Sequence, residues 1–412
     1  MNISIVLPIM VSAVGLYLLI KLKFFFLFHP IKTAREFIFG LKNRNSRKAF
    51  FLALAGTLGV GNIFGVAAGI MVGGPGSLFW LFVSTIFAMI IKYAETLLVF
   101  DVGVEQGGMA SVLKSVFVRL GKPLSLLYAF LTIILALFMG CAMQSAALVD
   151  IAEKSLGLNP IITALILLIL LIPIFVGGAN KIESITEIVI PVTTIIYIFM
   201  CFAVIFSNFS KIPCVINSII SSAFRPLSVV GGGVSFIAVR EGFARGILSN
   251  EAGAGTSALA HIRSRDRSAH VGGLFAMCEV VFDSSLLCML TGISILLIVP
   301  DVSVFDTPMS LVSTAFSFSL GSFSTIILTF LILSFAYATI ICWYYYGMEC
   351  VRIYFPKIKS TYPLFFVISM LFSSAISSSF LIYLIDVVLL FMSMLTVSAI
   401  LKRTSRISSV CL

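Results

Sequence analysis

The sequence predicts an all-helical protein that crosses a membrane about eleven times, built as two inverted repeats of five helices behind one extra N-terminal helix. Three observations lead there. Of 412 residues, 60% are apolar and 11% charged, with a mean hydropathy of +1.16, a composition foreign to soluble globular proteins. Apolar runs of about 20 residues, the length that crosses a bilayer, recur from end to end. Two of these runs are interrupted by glycine and polar residues, in the second and seventh segments, five helices apart.

The predicted segments lie at about 3–21, 50–72, 77–100, 124–150, 161–177, 184–207, 232–262, 270–299, 322–347, 361–378 and 380–401. The first lacks a basic leader and a small-residue cleavage site, so it reads as a retained helix. The loop after it carries Lys21, Lys23, Lys32, Arg35, Lys42, Arg44, Arg47 and Lys48 against Glu36 alone. That excess marks it as cytoplasmic and places the N-terminus outside. Alternation then puts Lys114, Arg119, Lys122, Lys181, Arg263, Arg265, Arg267, Arg352, Lys357 and Lys359 inside, with Lys402, Arg403 and Arg406 of the tail. Lys154, Lys211 and Arg225 fall outside. Residues 212–227 and 306–320 are apolar but too short to span, and suggest an interfacial helix and a lid. The chain thus divides into an N-terminal helix and loop (1–47), two repeats (48–208 and 209–401) and a cytoplasmic tail (402–412).

The net charge of +10 is accounted for by these cytoplasmic loops and does not call for nucleic acid. Eight scattered cysteines include no C-x-x-C pair, and His29, His261 and His270 sit at loops or flanks without metal-ligand spacing. Neither a disulfide framework nor a zinc site is predicted.

In the second segment, Gly56, Gly59, Gly61 and Gly65 crowd into ten positions around Asn62. Each glycine weakens a helix by about 0.5–1 kcal/mol relative to alanine, so the cluster predicts an opened helix. Lipid tolerates open backbone only where protein or a polar cavity covers it. Gly65, Gly69 and Gly73, spaced by four, read instead as a packing face. In the seventh segment Ser249-Asn250-Glu251-Ala252-Gly253-Ala254-Gly255 makes the second interruption. Ser, Asn and Glu suit a helix's first turn, which predicts a half-helix starting near Asn250 with Glu251 capping its free amides. Half-helix N-termini suit a carboxylate and unwound carbonyls suit a cation, the charges of an amino acid travelling with Na⁺. Neither stretch ends in Gly-Lys-Ser/Thr or follows a strand, so a phosphate loop is excluded.

Polar and charged residues inside spans are site candidates by default. Gln144 serves either the site or an interhelical hydrogen bond. Asp283 lies on the ion route or pairs with an arginine of the seventh segment. Lys92 and Glu95, three apart, predict a local ion pair at a cytoplasmic gate. Arg240, Glu241 and Arg245 line an outer vestibule or latch, and Asp386 is a candidate gate partner. An enzyme would need a nucleophile and base or paired metal ligands, and a channel would repeat its filter sequence; neither pattern occurs.

Gly61-Asn62-Ile63 with Gly65-Val66-Ala67, Gly73-Gly74-Pro75-Gly76 with Phe79-Trp80, Lys92-Tyr93-Ala94-Glu95, Gly107-Gly108, and Ala244-Arg245-Gly246 with Ser249-Asn250-Glu251-Ala252-Gly253 form a series of motifs. Together with the Asp283 segment, Trp343, Tyr346-Gly347 and Asp386, they resemble the alanine/glycine:cation symporter family along nearly the whole chain. The resemblance implies a LeuT-type fold with an added N-terminal helix in the plasma membrane of a bacterium or archaeon. It implies import of a small neutral amino acid, alanine or glycine, with Na⁺ or H⁺, and no other cofactor or metal, nucleic acid or obligate protein partner. By the same resemblance the substrate meets Gly59, Gly61, Asn62, Gln144, Ser249, Asn250, Gly253, Thr339 and Trp343, and the cation meets Thr339 beside the carbonyls near Gly56 and Gly59. Val60, Cys141, Ala146, Leu248 and Ala338 stand where the family has Thr, Asn, Asn, Phe and Ser. This shift toward apolar side chains leaves two alternatives open, a larger or more apolar substrate and a sensor that keeps the fold without transport.

Overall fold

The computed structural model describes residues 3–224, 237–264, 268–373, 376 and 378–411, and every regular element among them is helical. Arg225, Arg265, Arg267, residues 226–227 and 232–236, and positions 374, 375 and 377 of the tenth expected segment lie outside the described residues. Among the described residues, six helices are long and apolar enough to cross a membrane, and a bent pair supplies a seventh.

The chain opens with α1 (Ile3–Lys21), whose Val11 and Leu18 are buried. The basic stretch that follows was expected as a loop, yet it folds into α2 (Pro30–Gly40). Proline at the first helical position starts that helix, and Phe37 anchors it against Phe50 and Phe275. The bent pair is α3 (Arg44–Thr57) and α4 (Gly61–Gly73), related by 52°. Next come α5 (Gly76–Asp101), the short α6 (Gly108–Val116) and α7 (Gly121–Leu156).

Expected segments five and six join in α8 (Pro160–Ser207). Its 48 residues would run roughly 72 Å as one helix against an apolar core of about 30 Å. Gly178, at φ 57° and ψ −154°, leaves the helical conformation and divides it where the two segments were expected to part. The two short apolar stretches form α9 (Ile212–Ala223) and, later, α13 (Pro308–Leu320).

The second interrupted span contains α10 (Ile237–Asn250) and the single turn α11 (Ala258–His261). The remaining helices are α12 (Ala269–Ile298), α14 (Phe323–Tyr354), α15 (Tyr362–Leu371), α16 (Ser378–Lys402) and α17 (Thr404–Cys411). The tail, expected only as a basic extension, is helical because Ile407 finds a buried seat.

At the centre α5 packs along both α10 and α12. It approaches α10 so closely at Gly242 and Gly246 that side chains there would overlap Ser77, Leu81 and Ser84. Beyond its kink, α8 is tied to both interrupted spans. Arg47 at the head of α3 pairs with Glu187 at 2.9 Å, and Arg263 after α11 pairs with Glu183 and bonds Asn180 at 2.9 Å.

Candidate functional site

The first break opens where expected. Helix α3 ends at Thr57, and α4 resumes as a π-helical turn over Gly61–Gly65. The main chain between them is held by side chains from three directions. The Gly59 amide donates to Asn62 Oδ1 at 3.1 Å, and the Val60 amide donates to Gln144 Oε1 at 3.3 Å. Thr339 on α14 donates to the Leu58 carbonyl at 3.1 Å, and Trp343 Nε1 donates to the Gly56 carbonyl at 3.2 Å. Of the two roles open for Gln144, it fills an interhelical bond whose acceptor serves the break itself. Thr339 reaches the Leu58 carbonyl rather than that of Gly56 or Gly59. Trp343 is fully buried with its ring against Gly140.

Gly59 and Gly61 differ although they are two residues apart. A Cβ on Gly59 would sit 3.0 Å from Gln144 Oε1 and 3.1 Å from Thr339 Oγ1. Gly61 is exposed, and neither it nor Gly65 has anything within 4 Å of such a Cβ. Gly65 therefore faces open space, not a neighbouring helix as its spacing suggested; Gly69 and Gly73 do face α10, at Arg245 and at Glu241. Gly59→Ala is expected to destabilise the protein by about 1–3 kcal/mol through overpacking. Gly61→Ala should be neutral or stabilising, and thermal unfolding of the two purified variants measures the contrast.

The second break also exists, but it runs the other way. Asn250 and Glu251 were expected at the start of a half-helix; instead α10 ends at Asn250. Glu251 (φ 55°), Gly253 (φ 95°) and Gly255 (φ 76°) then hold left-handed conformations that no helix accommodates, so the chain stays open until Ala258. The end that α10 turns toward the break is its carbonyl end, the negative pole of the helix. Among the described residues the Glu251 carboxyl caps no helix start. It accepts from Thr256 at 2.6 Å. The free amide of Gly253 is taken by Glu95 Oε1, also at 2.6 Å. Asn250 braces the turn, donating to Gly246 O at 2.6 Å and to Ser284 Oγ at 3.0 Å while accepting from the Ala252 amide at 3.0 Å.

The two breaks meet at Asp283. Its carboxyl accepts from Asn62 Nδ2, from Ser249 Oγ at 2.8 Å and from Ser284 Oγ at 2.6 Å. Asn62 also donates to Ser249 Oγ at 3.2 Å. Asp283 is fully buried and has no arginine partner among the described residues, which corrects the expected pairing with the seventh segment. Helices α4, α7 and α12 each carry a π-helical stretch: Gly61–Gly65 and Val281–Cys288 on the two that meet at Asp283, and Ala136–Met143 just before Gln144, which serves the first break. Such stretches are rare and cluster at functional sites.

Lys92 and Glu95 do not pair with each other as their spacing suggested. Lys92 Nζ contacts Glu279 Oε1 at 3.1 Å and Ser257 Oγ at 3.0 Å, and Glu279 Oε2 meets His261 Nε2 at 3.2 Å. All of these charged groups are fully buried, so His261 belongs to the interior and not to a loop flank. Glu279 was overlooked, although its place one turn before Asp283 in an apolar span is itself a signal. Arg245 pairs with Glu241 at 3.4 Å and acts electrostatically on Asp386 of α16. Of the five apolar departures, Cys141 points away from the breaks, with its thiol on the Phe366 carbonyl.

Comparison with known proteins fits this geometry. Residues 1–410 match the profile of the sodium:alanine symporter family. The chain is 32% identical over 316 residues to the sodium/alanine symporter AgcS of Methanococcus maripaludis, covering 74% of this chain and 69% of that one. It is 29% identical over 364 residues to a Bacillus subtilis protein named "Probable sodium/glutamine symporter GlnT", with coverage of 84% and 73%. Among solved structures, a Na⁺-coupled sialic acid symporter superposes with a TM-score of 0.57 at 11% identity, covering 97% of this chain and 82% of that chain. That likeness shows that the two chains share a fold.

Proposed function

The chain belongs to the sodium:alanine symporter family, and from that premise we propose that it imports a small neutral amino acid, alanine or glycine, together with Na⁺ or H⁺. It is a membrane transporter and not an enzyme. The observation that carries the finer reading is the junction at Asp283, where Asn62 of the first break and Ser249 of the second share one carboxyl.

Around that junction the substrate carboxylate suits the start of α4, the positive helix end, where Gly61 is open. Corrected for the direction of α10, the second break offers carbonyls and so suits the cationic partners. Na⁺ is placed by this reading between Thr339 and the Leu58 carbonyl, with the bonds to Gly56 and Gly59 shaping the seat. Transport proceeds by alternating access between the halves 48–208 and 209–401, each of five crossings, with the helix at the N-terminus making eleven. The loop charges support an external N-terminus and cytoplasmic C-terminus in a prokaryotic plasma membrane.

A second reading has its own support. The open space at Gly61 and Gly65 and the likeness to GlnT favour a side chain larger than methyl. Uptake of labelled alanine into proteoliposomes, with and without an inward Na⁺ gradient, tests both. The first reading expects saturable uptake that the gradient accelerates and that excess glycine suppresses. Suppression by glutamine but not glycine favours the second, and the absence of saturable uptake for alanine, glycine and glutamine alike overturns both.

A further inference from the structure

Beside the second break lies a cluster of ionisable groups that the site at Asp283 does not use. It contains Lys92 and Glu95 on α5, Glu251 in the break, His261 on α11, Glu279 on α12 and the phenol of Tyr128 on α7, which donates to the Ala254 carbonyl at 2.5 Å. All are buried. Among the described residues Lys92 is the one lysine or arginine in direct contact with a carboxylate of this cluster, and that carboxylate is Glu279, whose second oxygen is held by His261. Glu95 and Glu251 therefore have no cation in contact among the described residues. Glu251 has the Thr256 hydroxyl on one oxygen. Glu95 has the Gly253 amide on Oε1, and Lys92 and the Gly255 amide act on it from beyond bonding contact, while its Oε2 is buried with no hydrogen-bond partner among the described residues.

A carboxylate oxygen buried without a bonded donor or a cation in contact is strongly disfavoured, and the group becomes neutral by taking a proton. We propose that Glu95 is a proton-binding site whose proton is gained and lost as the second break closes and opens. In the closed state an O–H bond stands on Oε2, and Oε1 remains the acceptor for the Gly253 amide. When Gly253 withdraws and water reaches the cluster, the proton passes from Oε2 to that water. The ionised carboxylate then regains a proton from water on the opposite side before the break closes again. This inference rests on the transport reading above and extends it by naming the residue through which H⁺ enters the cycle.

The test uses the full chain in lipid with wild type and Glu95→Gln, a change that keeps an oxygen for the Gly253 amide but cannot titrate. Infrared spectra at neutral pH are expected to contain a carboxylic-acid C=O band from a buried acid that disappears in E95Q. An unchanged band in E95Q means that Glu95 is ionised and overturns the proposal. In the same vesicles an acidic exterior is expected to accelerate alanine uptake by wild type, and the ratio of rates with and without the pH gradient is expected to fall to unity in E95Q. A ratio kept at the wild-type value, or no acceleration in wild type, removes Glu95 from the coupling. The infrared arm needs no substrate, so it decides this assignment even if alanine is not carried.

Discussion

Asp283→Ala is expected to lower substrate uptake by about a hundredfold. A hydrogen bond to a charged acceptor contributes about 1.5–3 kcal/mol, and two of those made by Asp283 span the breaks, from Asn62 and from Ser249. Losing both amounts to roughly 3 kcal/mol, and each 1.4 kcal/mol is about tenfold in binding. The orphaned Asn62 amide and Ser249 hydroxyl would then be free to compete with the substrate for partners. Uptake into proteoliposomes measures the loss, and the unfolding temperature of the same preparation separates it from misfolding. A folded variant with near wild-type uptake would show that Asp283 does not join the two breaks in function.

The second large effect is on stability. Lys92→Met leaves Glu279 fully buried with, among the described residues, His261 alone in contact with its carboxylate. Removing one partner of a buried ion pair costs about 3–5 kcal/mol because an uncompensated charge stays behind. Replacing both partners with apolar residues avoids that charge, so Lys92→Met with Glu279→Met is expected to recover most of the loss. Thermal unfolding of the single and double variants completes the comparison. Equal destabilisation of the two would mean that the pair stabilises the fold in its own right.

Some of this site could be read directly from the sequence. Glycines crowded inside an apolar span have few uses other than an opened backbone, so the first break lies where it was sought; Gln144 and Thr339, which the family resemblance set beside it, bond its main chain. The second break was located but given the wrong polarity. Ser-Asn-Glu is a good helix start by composition, yet the same residues can close a helix when positive-φ positions follow, and Glu251 adopting that conformation is not encoded in any propensity. Lys92 shows a different limit. Spacing reports neighbours on one helix face, whereas its actual partner lies 187 residues away on α12, brought there by packing alone. The π-helical stretches were equally silent, since one extra residue per turn leaves no compositional mark.

Asn62 forms the first break through Gly59 and grips Asp283 and Ser249 beside the second. A single amide therefore bonds residues of both breaks, so a rearrangement that parts them costs these shared hydrogen bonds. A passenger that engages one hinge alone would leave this clasp half made, so the barrier against slippage is built into the resting architecture. Leak of the driving ion without cargo should then appear when Asn62 is shortened, even where the outline of the cavity is unchanged.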